Sequence, residues 1–198
     1  MYILGPNNSK KEIIDALTLL KIRCSEFITK RSSTRVMVVQ FISSKDPDQL
    51  IDLYRVHILF GKIISYYGVT STLDVFHSID MNFEDRNRFI LINEYLSNKI
   101  LDIEKKILLS AKVLGCNIGA VEFFMKNDEP IFLEFNPMWG GNASKLGFGP
   151  KEFRNYLSVN RASLENRIPN IYKFTDYQQY YKSLYEGVHD YCQASSPS

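Results

Sequence analysis

The sequence lacks the features that define several classes of protein. No apolar run approaches the ~18 residues of a membrane span, and the first residues do not form a signal-peptide pattern. No long block of like charges occurs, and the formal net charge is only +2. A nucleic-acid-binding stripe or a polybasic membrane segment would need such a block. We therefore predict a protein without nucleic-acid or membrane partners.

Cysteine and histidine are also scarce, with three of each in 198 residues. Cys24, Cys116 and Cys192 are scattered, odd in number and without metal-ligand spacing, which predicts free thiols in a reducing compartment. We therefore expect a cytoplasmic location. The dispersed histidines argue against a zinc site and against a Cys-His nucleophile.

The chain has enough apolar residues, 45%, to bury a core, and its length suits one domain or two small ones. Its patterns predict an α+β fold with mostly antiparallel pairing. A capping box at residues 9–12 begins a helix, and residues 36–42 form a β-rich run. The other expected elements are a hairpin of residues 54–60 and 62–67 around Gly61, a helix over 100–114 that ends at Gly115, and helices from 153 onward. Residues 85–96 are a further helix candidate.

The most informative segment is residues 119–137, GAVEFFMKNDEPIFLEFNP. Alternation predicts a hairpin that turns at residues 127–129, with Glu122 opposite Glu134 and Asn136 on the same face. Facing like charges are destabilising, and a hard divalent cation between them would relieve the repulsion. The alternative, that both glutamates are solvated on an exposed face, stays open on pattern alone.

Four segments resemble the C-terminal part of ATP-grasp enzymes, the superfamily that includes glutathione synthetase and biotin carboxylase. Residues 38–42, VVQFI, resemble the hinge strand that presents backbone groups to adenine, and residues 54–62 resemble the hairpin that carries a basic residue towards the phosphates. Residues 119–123, GAVEF, and 133–137, LEFNP, resemble the strands that carry the metal ligands. The likeness spans about residues 2–150.

The resemblance implies that Glu122, Glu134 and Asn136 bind Mg²⁺ (Mn²⁺ is the alternative), and that Arg55 contacts a phosphate of ATP. Gln40, Phe41 and Ile42 would contact the nucleotide, although Gln40 stands where the family often has an acidic residue. The reaction would activate a small-molecule or peptide carboxylate as an acylphosphate, which an amine or similar nucleophile then attacks. For Arg55 the alternative is a surface ion pair, and glycines at 140–141 can contact a substrate or only turn the chain.

The resemblance also predicts how the chain is organised. Residues 1–43 would be a partial lid subdomain with the hinge strand, residues 44–192 the C-terminal subdomain with the metal site, and residues 193–198 a disordered tail. In the family, a lysine strand, a glycine-rich lid and a front domain precede the capped helix. We therefore expect a second chain or a missing N-terminal half to complete the site, and homo-oligomerisation is possible. A non-catalytic or partner-dependent subunit and a kinase of the same fold are the alternative functions.

Overall fold

The computed structural model describes residues 50–73, 76, 80–137 and 148–194, together with positions 9, 11, 15 and 18. The chain divides into two compact units, Met1–Ser43 and Ser44–Ser198, and the elements below belong to the second. In the first unit, the described positions 11, 15 and 18 are helical, as the capping box predicted. The predicted strand 36–42, with Gln40, Phe41 and Ile42, and the glycines at 140–141 lie outside the described residues.

A four-stranded antiparallel sheet forms the centre of the second unit. Its strands lie in the order β2-β1-β3-β4, and every neighbouring pair is antiparallel. This confirms the predicted α+β class and its antiparallel pairing. The strands are β1 (Ile51–Leu59), β2 (Lys62–Ser71), β3 (Ile118–Lys126) and β4 (Glu129–Asn136).

Two-residue turns close both hairpins. Phe60 and Gly61 join β1 to β2 with φ of 49° and 76°, and Asn127 and Asp128 join β3 to β4 with φ of 53° and 62°. Positive φ at both central residues is the type I′ arrangement, whose twist matches that of the flanking strands. The first hairpin was predicted at Gly61. The second turn is one residue shorter than the three-residue turn predicted at 127–129.

One long helix, α1 (Arg86–Val113), connects β2 to β3. It joins the predicted helix 100–114 and the uncertain segment 85–96 into a single element of 28 residues. The helix ends at Gly115 as expected, because Gly115 has φ of 68° and donates to the Lys112 carbonyl, while Cys116 donates to the Ala111 carbonyl. These two bonds form a Schellman motif. Helical spacing would place Leu114 on the same apolar stripe as Ile103, Ile107 and Ala111, but Leu114 is the C-cap residue and is 59% exposed.

The apolar stripe of α1 packs on one face of the sheet. Asn93 also lies in this interface, where its side chain accepts from the Gly68 N–H at 2.8 Å and donates to the Gly68 carbonyl at 2.9 Å. A Cβ at Gly68 would lie 3.0 Å from Ile92 Cδ1, so the absence of a side chain there allows the close approach. The shared cluster comprises Tyr54, Val56, Ile58, Ile92, Leu96, Ile100, Ile103, Ile107, Ala111, Val121 and Phe123.

Four further helices are described after β4, namely α2 (Lys151–Val159), α3 (Arg161–Arg167), α4 (Tyr172–Thr175) and α5 (Tyr177–Ala194), and a 3₁₀ turn, Phe83–Asp85, precedes α1. Helices α2, α3 and α4 contribute to a second apolar cluster with one end of β1 and β2, through residues that include Ile51, Tyr67 and Val69. Helix α5 extends through Ala194, two residues into the segment predicted to be disordered. None of the described helices is long and apolar enough to cross a membrane.

Candidate functional site

A row of four polar side chains crosses the whole sheet on the face opposite α1. The paired positions run from Tyr67 on β2 to Arg55 on β1, then to Glu122 on β3 and Glu134 on β4. Strand alternation places these residues on one face, since Val56, Val121 and Phe123 point to the other. The row therefore brings three of the predicted site residues together in a straight line.

Arg55 and Glu122 form an ion pair at the centre of this row. Arg55 Nη1 donates to Glu122 Oε1 at 2.7 Å, and the two side chains are 18% and 16% exposed. The guanidinium therefore supplies positive charge beside one of the two facing carboxylates. From the sequence, a cation was expected between the glutamates, and Arg55 was expected to contact a phosphate or, as the alternative, to form a surface ion pair. The observed pair is more buried than a surface pair.

The opposition of Glu122 and Glu134 was predicted correctly, but it arises in a different way. A two-residue turn alone would pair Glu122 with Leu133, and a bulge between Glu122 and Phe123 shifts the register by one. Leu133 is the extra residue on β4, because the partners step from 134 to 132. Bulges of this kind re-aim the side chains that follow them.

Because of the same bulge, two β4 side chains lie on the opposite face of the sheet from the one that strict alternation predicts. Strict alternation along β4 would place Phe132 on the carboxylate face with Glu134, yet Phe132 is paired with Phe123 and contacts that ring edge-on at 6.2 Å between centroids. The same alternation would place Ile131 on the apolar face, yet Ile131 is paired with Phe124, the neighbour of Glu122 on the carboxylate face. Only Phe135 keeps its predicted place beside the apolar cluster. The strict alternation assumed from the sequence fails because one strand carries an extra residue.

Asn136 lies next to Glu134 and completes the predicted ligand set. Its Nδ2 donates to Glu134 Oε1 at 2.7 Å, which leaves the amide oxygen and the second carboxylate oxygen as available acceptors. Gly119 allows β4 to lie this close, since a Cβ there would overlap the Phe135 ring and come within 2.6 Å of the Asn136 carbonyl oxygen.

A second polar row lies directly beside the first. It comprises Ser65, His57, Ala120 and Asn136 at paired positions of the four strands. His57 Nδ1 lies 2.6 Å from Ser65 Oγ, and both residues are buried. Burial, with a smaller contribution from the Arg55 charge, lowers the pKa of His57 to about 3. His57 is therefore a neutral imidazole at physiological pH.

Tyrosines from two elements surround Arg55 and His57. Tyr180, on α5, packs edge-on to the His57 ring at 5.5 Å between centroids, and Tyr67 lies opposite Arg55 on β2. Burial raises the pKa of both phenols, while the Arg55 charge acts in the opposite direction. Arg55 Nε and the Tyr180 hydroxyl are buried and have no hydrogen-bond partner among the described residues. Such atoms are costly unless something satisfies them.

Sequence reasoning missed Ser65, Tyr67 and Tyr180 as neighbours of Arg55 and His57. The two-residue turn at Phe60 and Gly61 would pair His57 with Ile64, but a bulge between His57 and Ile58 moves its partner to Ser65. The shared face of Arg55 and His57 was visible from alternation. Their partners on β2 could not be predicted, because no local sequence pattern indicates the bulge.

The donor chemistry of the site fits a hard divalent cation. Two carboxylates and an amide oxygen are ligands that Mg²⁺ accepts, with phosphate and water oxygens completing its octahedron. Among the described residues, no group of three or more histidine, cysteine, aspartate or glutamate side chains could hold a metal. A cation here would therefore depend on Asn136 and on ligands from outside the described residues. Cys116 is a free thiol, as predicted.

Comparison with known proteins adds nothing to this geometry. The chain matches no protein-family model, no curated protein and no solved structure. The ATP-grasp resemblance thus stays an expectation carried by the residues quoted for it. The site brings two facing carboxylates, an adjacent amide and one guanidinium together on a single face of the sheet.

Proposed function

We propose that the chain is the Mg-ATP-binding portion of an ATP-grasp ligase, which activates a carboxylate as an acylphosphate for attack by an amine or similar nucleophile. The observation that carries the proposal is the row Arg55, Glu122, Glu134 with Asn136 beside it. A purely structural sheet gains little from two facing carboxylates, because like charges at paired positions are destabilising. Their presence beside an arginine suits a site that receives both a cation and a polyphosphate.

Each residue then has a distinct task. Glu122, Glu134 and Asn136 would hold the magnesium ion, which when bound offsets negative charge on the phosphates. Arg55 would donate its guanidinium N–H groups to a β- or γ-phosphate oxygen, a geometry that arginine suits well. The apolar cluster under the opposite face holds β1 and β3 in register, so that these side chains keep their spacing.

A thermal-shift titration with Mg²⁺-ATP tests the proposal. A ligand that binds only the folded state raises its stability, and saturation at about 100 times Kd predicts a melting temperature higher by about 5 °C or more. Glu134→Gln should abolish most of the gain. Glu129→Gln, the same substitution at the other end of β4, is the matched control and should keep it. No shift for the wild type, or equal shifts for both variants, would overturn the proposal.

A non-catalytic subunit of the same fold is the second candidate. The observation that favours it is the Arg55–Glu122 ion pair, which gives Glu122 a positive partner without any metal ion. If the pair is purely structural, Glu122→Gln should lower the free energy of unfolding by about 1 to 3 kcal/mol. Mg²⁺-ATP should then change the stability of neither the wild type nor the variant. Urea unfolding of the wild type and of Glu122→Gln, each with and without Mg²⁺-ATP, separates the two candidates, because only a ligase site lets the wild type gain stability from the nucleotide.

A further inference from the structure

The guanidinium of Arg55 lies where positive charge is needed in the absence of a metal ion. It sits at the position paired with Glu122, one strand away from Glu134, and bonds Glu122 Oε1 through a single nitrogen, Nη1. Its Nε is buried and has no hydrogen-bond partner in the described part of the chain. The pair is therefore not the bidentate, fully satisfied arrangement that fixes an arginine most firmly.

Charge counting shows what a cation would change. Counting only Arg55, Glu122 and Glu134, the single positive charge, which contacts Glu122, compensates one of the two carboxylates. With a divalent cation between Glu122 and Glu134, both carboxylates are compensated and the arginine charge becomes surplus. A surplus guanidinium beside a cation site favours the binding of an anion, and a polyphosphate is the anion that can contact both.

We propose that Arg55 is a built-in counter-ion that competes with the divalent cation for Glu122 and is released to the nucleotide phosphates when the cation binds. This inference rests on the proposed function and deepens it. The competition weakens binding of the metal alone, whereas the release strengthens binding of the metal together with nucleotide. Binding of the metal therefore increases the affinity for the nucleotide, and the reverse, because both ligands act on the Arg55 side chain. This is a coupling free energy between two binding sites.

Binding of Mn²⁺, followed by electron paramagnetic resonance on the full chain, tests the inference without any activity assay. Arg55→Met removes the charge and keeps much of the side-chain length. It should bind Mn²⁺ alone more tightly than the wild type, and Mn²⁺-ATP more weakly, each by about 5-fold or more. A residue with a merely structural role would weaken both or change neither. Opposite movement of the two affinities is therefore the distinguishing result.

Arg88→Met is the matched control. Arg88 forms a half-buried ion pair with Asp52, with Nη2 and Oδ2 2.6 Å apart, and Asp52 lies on the same strand as Arg55. This substitution should leave both Mn²⁺ affinities within about twofold of the wild type, well below the usual range for coupled sites. Arg55→Lys is the second variant if Arg55→Met does not fold. It should move the two affinities in the same directions by less, because a lysine keeps the charge but not the planar fork.

The outcomes separate this inference from the proposed function. If the wild type does not bind Mn²⁺-ATP, the proposed function fails. If the wild type binds Mn²⁺-ATP, but neither Arg55 variant binds Mn²⁺ alone more tightly than the wild type, the counter-ion inference is overturned while the proposed function stands.

Discussion

The two faces of the sheet are built from the same four strands and differ in what they bury. On the α1 face, Val56 and Phe123 are 0% exposed and belong, with Leu96 of α1, to one continuous apolar cluster. On the other face, Arg55, Glu122 and Glu134 form a charged row at paired positions. The apolar face supplies folding free energy, because burial of apolar surface dominates stability. The charged row supplies little, so its arrangement calls for an explanation other than stability.

Truncation on the apolar face should have the largest effect. Phe123→Ala is expected to lower the free energy of unfolding by about 3 to 5 kcal/mol, since it opens a cavity where the ring is fully buried. Urea unfolding measures this change. Phe132→Ala, on the neighbouring strand, is the matched control. Its ring is 40% exposed, so it should lose clearly less. Equal losses at both positions would contradict the assignment of Phe123 to the core.

The polar face should dominate the pH dependence of stability. The pKa of His57 is lowered to about 3 by burial, so between that value and its ordinary 6.5 the unfolded chain binds more protons than the folded one. Stability is therefore fully present above pH 6.5 and falls as the pH drops through this window, by at most about 1.4 kcal/mol per pH unit.

His57→Gln should remove this contribution to the pH dependence of the free energy of unfolding. Urea unfolding at several pH values between 4 and 7 measures that dependence. His189→Gln is the control, because His189 lies exposed on α5. A slope that is unchanged in His57→Gln, or that is reduced equally in His189→Gln, would mean that His57 is not the buried neutral imidazole described above.

Much of this arrangement was visible in the sequence, and the rest depends on tertiary facts. Gly61 and Gly115 mark a turn and a helix end through conformations that glycine favours, so both positions were predicted. The register near Glu122 was not fully predictable, because the bulge at Leu133 has no local signal. The full length of α1 was uncertain because Asn93 interrupts the apolar stripe. Its partner, the backbone of Gly68, is 25 residues away in sequence.

The central claim is that the facing glutamates bind a metal cation together with a nucleotide. The most direct test is to measure the free energy of unfolding of the wild type and of Glu134→Gln, each with and without Mg²⁺-ATP. Without ligand, Glu134→Gln should be more stable by about 0.2 to 1 kcal/mol, because a repulsion is removed while the glutamine oxygen can still accept from Asn136. With saturating Mg²⁺-ATP the order should reverse, because only the wild type gains the binding energy. A variant that is less stable without ligand, or that gains as much as the wild type from Mg²⁺-ATP, would contradict the claim.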